Sequence, residues 1–408
     1  MQEMELLLNP QRKPVGEGAK LADFTREESR RVRDYHRKFR EYSPTPLVSL
    51  LNLAKSLGLA NIFVKDESKR FGLNAFKVLG GSYALGRVLA RHLRTPIEEL
   101  DVEGIRNGAF ADKTRGLAFA TATDGNHGRG VAWTARQFHC PAHVFMPRGS
   151  AAVRADNIRA CGADCRITDL NYDDTVRLAG RQAGENGWIM VQDTAWKDYE
   201  EIPRWVMQGY TTLAGEALEQ LRERGAESPS HLFLQAGVGS FAGAALGFFA
   251  AVPAGKPPAA VIVEPRNADC HFRSLAAGDG EPRAVKGDLT TMMAGLACGE
   301  PSTLSWEIIR DYAAAALSVD DHLAANGMRI LAAPLPGDPR VVSGESGAVG
   351  CGVLERICSG PEAGTLRKKL GLDSGSTVLL ISTEGDTSPE IYRDVVWRGR
   401  FPAPETRA

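Results

Sequence analysis

The sequence predicts an α/β architecture of two open, twisted α/β domains with a cleft between them, on three observations. Runs rich in branched residues, NIFVKD, LAFATA, AHVFMP, DCRITD, WIMVQD, HLFLQA, AVIVEP and TVLLIST, alternate with segments of helix length, the pattern of a parallel sheet wrapped by helices. Two of the runs lead straight into glycine-rich turns, TDGNHGRG and QAGVGSFAG, at the strand ends where such sheets gather ligands. Four runs between Leu117 and Gln192 are closely spaced, which sets aside a smaller sheet and leaves the flanking segments to build a larger one.

Residues 1–42 read as an N-terminal extension. Within it Thr25 to Phe39 is dense in Arg and Glu with little apolar periodicity, an exposed helix leading to the turn-forming SPTPL. The larger domain takes residues 43–114 and 196–408, the smaller one residues 115–195. NAFKVLGGSYA follows the first strand and carries Lys77. In TATDGNHGRG a strand gives way to a turn and then to a helix beginning near Gly130. Asp173 and Asp174 in NYDDTV suit the first turn of a helix, where acidic groups meet the positive end of the dipole. VQDTAW sets Asp193 just past a strand end.

From Leu232 to Val252 only Gln235 and Ser240 are polar, and Gly243 and Gly247 imitate the G-x-x-x-G of membrane helices. Gly237 and Gly239 would break a spanning helix early, so strand, turn and buried helix describe the segment better. AAGDGEPRAVK, Ala276 to Lys286, has the composition of a mobile surface loop. SGESGAVG and ISTEGDT repeat the small-residue turn, with Thr383 at a strand end.

With 49 Lys and Arg against 50 Asp and Glu over 408 residues, no charge excess points to nucleic acid or an anionic membrane. A small-molecule substrate fits better. The seven cysteines are scattered without C-x-x-C spacing, which argues against a disulfide framework and a zinc cluster and predicts a reducing cytoplasm. No metal site is expected. Cys270 and Cys298 flank the loop and either pair reversibly or fill space. The first residues, MQEMELLLNPQRKPVGEG, lack a basic start followed by an apolar core, so no secretory signal is expected.

Glycine in GVGSFAG lets backbone N–H groups and a helix N-terminus close around a phosphate without a cationic side chain. The dinucleotide spacing fails, because Ala242 takes the third glycine position. A turn that only packs helix on sheet is the plainer alternative. The turn around Asn126 is equally receptive to a carboxylate, although Asp124 and Asn126 also suit a plain turn and His127 plain packing. A lone Asp at a strand end, as at Asp193, is more often a helix cap.

Taken together, NAFKVLGGSYA, TDGNHGRGVAW, NYDDTVRLA, VQDTAW, QAGVG, AGLACGEP, SGESGAVG and STEGDT resemble the fold-type II pyridoxal-phosphate family, which includes serine and threonine dehydratases, cysteine synthases and the tryptophan synthase β chain. The likeness runs from about Ser43 to Trp397, and within the family it is nearest to ammonia-lyases acting on 2,3-diaminopropionate. It implies that Lys77 bonds pyridoxal 5'-phosphate, with Phe76 beside the ring. It implies a phosphate-binding turn of Gly237, Val238, Gly239 and Ser240, with Asn126 on the cofactor's phenolic oxygen and Thr383 on its pyridine nitrogen. Glu345 falls at an acidic position close to the ring. Thr123, Asp124, Gly125, Asn126 and His127 match the substrate-carboxylate loop.

Two departures stand out. Leu79 replaces an Arg common in dehydratases and synthases, and Asp124 replaces a small residue. A carboxylate beside the substrate suits one that carries an additional ammonium group. The resemblance therefore implies α,β-elimination of ammonia from D- and L-diaminopropionate, giving pyruvate and two ammonia. Asp124, Asp193 and Lys77 are the candidate bases at Cα, and we assign Asp193 to the L isomer and Asp124 to the D isomer. Either aspartate equally suits the β-ammonium. A serine/threonine dehydratase-like deaminase and a β-replacement synthase are the alternatives, and a homodimer is implied.

Overall fold

The computed structural model of the chain describes residues 3–252 and 257–404. The reading of the chain's start falls in part on residues 1–2, outside the described residues. Eleven strands are present among those described: β1 Met4–Leu8, β2 Leu47–Ser49, β3 Asn61–Asp66, β4 Phe119–Ala122, β5 Ala142–Met146, β6 Asp164–Ile167, β7 Ile189–Met190, β8 His231–Gln235, β9 Ala259–Pro265, β10 Ala315–Val319 and β11 Thr377–Ser382. Seven form one sheet in the order β1-β10-β9-β8-β11-β3-β2, and four form a second in the order β6-β5-β4-β7. The smaller sheet is wholly parallel. In the larger only the two edge strands run antiparallel.

Helices cover both faces, so the central strands of the larger sheet are buried beyond their first residue, and every residue of β8 and β10 is inside. That burial explains their continuous apolar runs, which lack the alternation of a half-exposed strand. Leu232 to Val252 resolves into β8, a glycine turn and the buried helix Ser240–Ala251. No helix among the described residues is long and apolar enough to cross a membrane.

Four features differ from the sequence reading or add to it. Strands β1, β2 and β10 were not anticipated, and β1 ties the supposed N-terminal extension to the edge of the larger sheet, with Met4 opposite Val319. The Arg-rich helix forms at Arg26–His36 but is not an exposed one: Ser29, Val32, Tyr35 and His36 are buried. Ser29 Oγ donates to the Thr211 carbonyl at 3.0 Å, and Tyr35 Oη to that of Ser82 at 2.8 Å. Their helical spacing makes one face apolar enough to dock. The helix expected near Gly130 begins at Asn126, because Thr123 Oγ1 accepts the Gly125 and Gly128 amides at 2.9 and 3.0 Å. The loop after Ala276 is anchored by Trp306 Nε1 on the Gly280 carbonyl and by the Arg283 amide on Ser274 Oγ, at 2.9 and 2.7 Å.

A buried ion cluster braces the segment that leads to Lys77. Lys65 Nζ and Arg70 Nη2 each lie 2.7 Å from Glu216 Oε2, and Arg70 Nε lies 2.9 Å from Glu67 Oε2. Two cations and two anions balance, which is what makes such burial tolerable. The cluster fastens the end of β3 to the long helix Glu201–Glu223.

Candidate active site

Strands β3, β11 and β8 lie side by side in the larger sheet, and their C-terminal ends deliver three segments to one place. After β3 the chain reaches Lys77, which opens the helix Val78–Leu93. After β8 comes the turn Ala236–Gly239, and after β11 come Thr383 and Glu384. The smaller sheet faces them with Asn126 beyond β4 and Asp193 beyond β7. Phe76, Lys77, Asn126, Asp193, Thr383, Glu384 and the whole glycine turn line one cleft.

Lys77 Nζ stands 2.8 Å from Asp193 Oδ2 and 3.9 Å from Asp124 Oδ1. Burial would lower the lysine's pKa, yet the two carboxylates hold it well above the ordinary value. Burial likewise raises Asp193, but the ammonium of Lys77 outweighs it and holds the carboxyl down at about 2. Asp193 Oδ1 also accepts from Tyr172 Oη at 3.3 Å and Gln192 Nε2 at 3.2 Å. Asp193 is thus no helix cap. Asp173 and Asp174 do open a helix, Tyr172–Asn186, with Asn171 as its cap.

The glycine turn has the shape of an anion cradle. Gly239 sits at φ +93°, and a Cβ there would stand 2.4 Å from His271 Nε2. A Cβ on Gly237 would meet the Gly295 carbonyl at 3.1 Å. Both positions therefore present bare backbone, directly before the N-terminus of the helix Ser240–Ala251, whose first amides have no intrahelical acceptor. Ser240 contributes that backbone; its hydroxyl is committed to the Asp193 carbonyl.

Beside the turn, the Phe76 ring lies against Tyr210 and Phe241, with centroids 4.7 and 4.9 Å away. Thr383 Oγ1 accepts from Gln235 Nε2 at 2.9 Å, which leaves its own proton to donate. Ser346 Oγ is buried without a partner in the same wall. An anion cradle, an amine, an aromatic wall and unclaimed hydroxyls fit a flat, phosphorylated pyridine aldehyde.

Some expected residues stand elsewhere. Thr123 and Gly125 shape the turn from behind, and His127 is buried with Nε2 on the Val191 carbonyl at 2.8 Å. Asp124 reaches Lys77 on one side and Arg154 Nη1, at 3.3 Å, on the other. Glu345, expected close to the ring, does not line the cleft: it is buried against Arg154 Nη2 at 2.5 Å. Burial and nearby Glu384 push it up to about 7 despite that guanidinium. Of the two glutamates it is Glu384 that faces the cleft, 2.5 Å from Asn126 Nδ2. It was missed although it adjoins Thr383. Tyr172, Tyr210 and Arg154 were missed because only the fold brings them here.

The cysteines are unpaired, with Cys270 and Cys298 both buried. Cys270 Sγ, Glu264 and His271 form a tight buried group, but Glu264 spends its oxygens on the His271 and Phe272 amides, at 2.9 and 2.7 Å. A helix N-terminus accounts for that cluster.

Comparison with known proteins agrees with this geometry. The chain is 53% identical over 393 residues to the diaminopropionate ammonia-lyase of Salmonella typhimurium, covering 96% of this chain and 97% of that protein. Two crystal structures of Escherichia coli diaminopropionate ammonia-lyase, each 47% identical, cover 98% of this chain and 98% of theirs. One, in complex with an aminoacrylate-PLP azomethine reaction intermediate, superposes with a TM-score of 0.89. The other, in complex with D-serine, gives 0.90. The family model described as "Pyridoxal-phosphate dependent enzyme" matches residues 38–384, and a match of that extent, over a fold and a cleft of this form, means that the chain belongs to the pyridoxal-phosphate dependent enzymes.

Proposed function

We propose that this protein eliminates ammonia from 2,3-diaminopropionate, D and L, to give pyruvate and two ammonia. The observation that carries the reading is the placing of two carboxylates, Asp193 and Asp124, at 2.8 and 3.9 Å from one amine, Lys77 Nζ. Relatives that share about half the sequence bear the name of this activity. Bound at Lys77, pyridoxal phosphate supplies the electron sink for the pair left when a Cα proton departs. In this reading Lys77 holds the cofactor and later releases the product. The turn Gly237–Ser240 takes the phosphate on its amides, and Asn126 and Thr383 orient the ring.

Asp193 removes the Cα proton of the L isomer and Asp124 that of the D isomer. Each then sits beside the β-ammonium, whose departure as ammonia leaves an enamine that water hydrolyses. The carboxylate-loop turn, Thr123 to His127, receives the substrate carboxylate. Residues 43–114 and 196–408 act as the cofactor-holding domain and 115–195 as the domain that closes on the substrate. The enzyme works as a homodimer in the cytoplasm, where unpaired cysteines are at home.

The test is pyruvate release by the cofactor-loaded protein from both diaminopropionate isomers, both serine isomers and L-threonine. Diaminopropionate should be turned over fastest and Lys77→Ala should abolish it. Preference for serine or threonine would replace the proposal with a dehydratase, and product that incorporates added sulfide with a β-replacement synthase. Asp193→Asn should lower L-isomer turnover by about 10² to 10⁴, with Asp124→Asn doing the same for the D isomer.

A further inference from the structure

His127 sits in the helix Asn126–Gln137 with 1% of its surface exposed. Its Nε2 lies 2.8 Å from the Val191 carbonyl oxygen. A carbonyl only accepts, so Nε2 carries the ring's proton. Burial lowers the ring's pKa against the pull of Asp193, which keeps the imidazole neutral and Nδ1 a bare lone pair. Nδ1 has no hydrogen-bond partner. It faces Asp193 Oδ2 at 4.0 Å, beyond hydrogen-bond range, as two acceptors must while no proton lies between them.

The other polar neighbours of this carboxylate all give protons. Tyr172 Oη and Gln192 Nε2 donate to Oδ1, and Lys77 Nζ to Oδ2. Donors favour the charged form and oppose the protonation that a general base must undergo. His127 Nδ1 is the neighbour that favours the opposite state.

We propose that His127 is a positioning residue that accepts a hydrogen bond from Asp193 once that carboxylate has taken the Cα proton, and so stabilises the base in its protonated state. The inference rests on Asp193 serving as the base for the L isomer. In the step, the Cα–H bond breaks and its electron pair goes on to expel the β nitrogen as ammonia. The proton moves to Asp193 Oδ2, is shared with Nδ1 of His127, and leaves on the departing ammonia as ammonium.

Two substitutions separate this role from plain packing. In His127→Asn the amide oxygen stands where Nδ1 stands, and the bond to Val191 is lost. In His127→Gln the amide nitrogen reaches the Val191 carbonyl and the acceptor beside Asp193 is lost. The kcat/KM ratio of L- to D-diaminopropionate should fall by about tenfold or more in His127→Gln and stay near that of the unaltered enzyme in His127→Asn. The reverse order, or an equal loss for both isomers, overturns the proposal. Asp193→Asn is measured alongside: if it leaves the ratio unchanged, the assignment of the base has failed instead. Nitrogen-15 spectra of the unaltered holoenzyme, labelled at histidine, give a check independent of any variant's folding. They should show His127 protonated at Nε2 and bare at Nδ1, and a protonated Nδ1 overturns the inference.

Discussion

Alanine at Gly239 tests how the glycine turn is held. The residue sits at φ +93°, and an added Cβ would lie 2.4 Å from His271 Nε2 and 2.7 Å from Ser305 Oγ. Neither neighbour has room to retreat. His271 Nδ1 is 2.9 Å from Glu264 Oε1, with both side chains fully buried, and Ser305 Oγ donates to the Val238 carbonyl at 3.0 Å. A left-handed backbone costs a residue with a Cβ about 1–2 kcal/mol, and overpacking about 1–3 kcal/mol. Gly239→Ala should therefore cost about 2–5 kcal/mol in all. If the fold bears the cost, the urea midpoint of the holoenzyme drops. If the turn shifts instead, cofactor affinity weakens by about thirtyfold or more, since 1.4 kcal/mol is a factor of ten. Urea unfolding combined with a cofactor titration followed by fluorescence covers both routes. An unchanged midpoint together with unchanged affinity would refute the reasoning.

Other outcomes follow from the buried charges and thiols. Glu216→Gln strands Lys65 and Arg70 with Glu67 as the one remaining anion of the cluster and should cost about 3–5 kcal/mol, read by urea unfolding; a loss below about 1 kcal/mol would mean that the cluster relaxes freely. Burial holds His36 at about 3, against 6.5 for the ordinary ring. The folded protein therefore refuses a proton that the unfolded chain accepts. Stability from this group is full above pH 6.5 and falls as the pH drops toward 3, by about 1.4 kcal/mol per pH unit, and His36→Asn should remove that slope. With seven unpaired cysteines, unreduced protein opened in denaturant should titrate seven thiols; five, which is seven less one pair, would reveal a disulfide.

The parts legible in the sequence were those whose chemistry is local. Gly237 and Gly239 announce a turn wherever they stand, and Lys77, Asp193 and Thr383 each follow a strand whose apolar run marks its end. Residues that work by long-range contact were hidden. Arg154 matters because it reaches Ser388 Oγ at 3.0 Å, across more than half the chain, and nothing around it in sequence says so. The inward-facing Lys65 and Glu216 look like surface charges until each supplies the other's partner. The strand at Ala315–Val319 begins inside a run of alanines, Ala313 to Ala316, that favours helix, and burial between two neighbours overrides that preference. Glu345 and Glu384 occupy similar small-residue turns, and only the direction of each side chain decides which one meets the cleft.

The pairing of Met4 with Val319 has a consequence for how the protein is made. A ribosome adding about 5–20 residues per second leaves β1 without its partner for roughly a quarter of a minute to a minute. Strand β3 waits likewise for β11, with Asn61 opposite Thr377. The smaller sheet has no such delay, because its four strands lie between Phe119 and Met190 and emerge in succession. On the nascent chain it can close first, so that the later strands assemble around one finished half of the cleft.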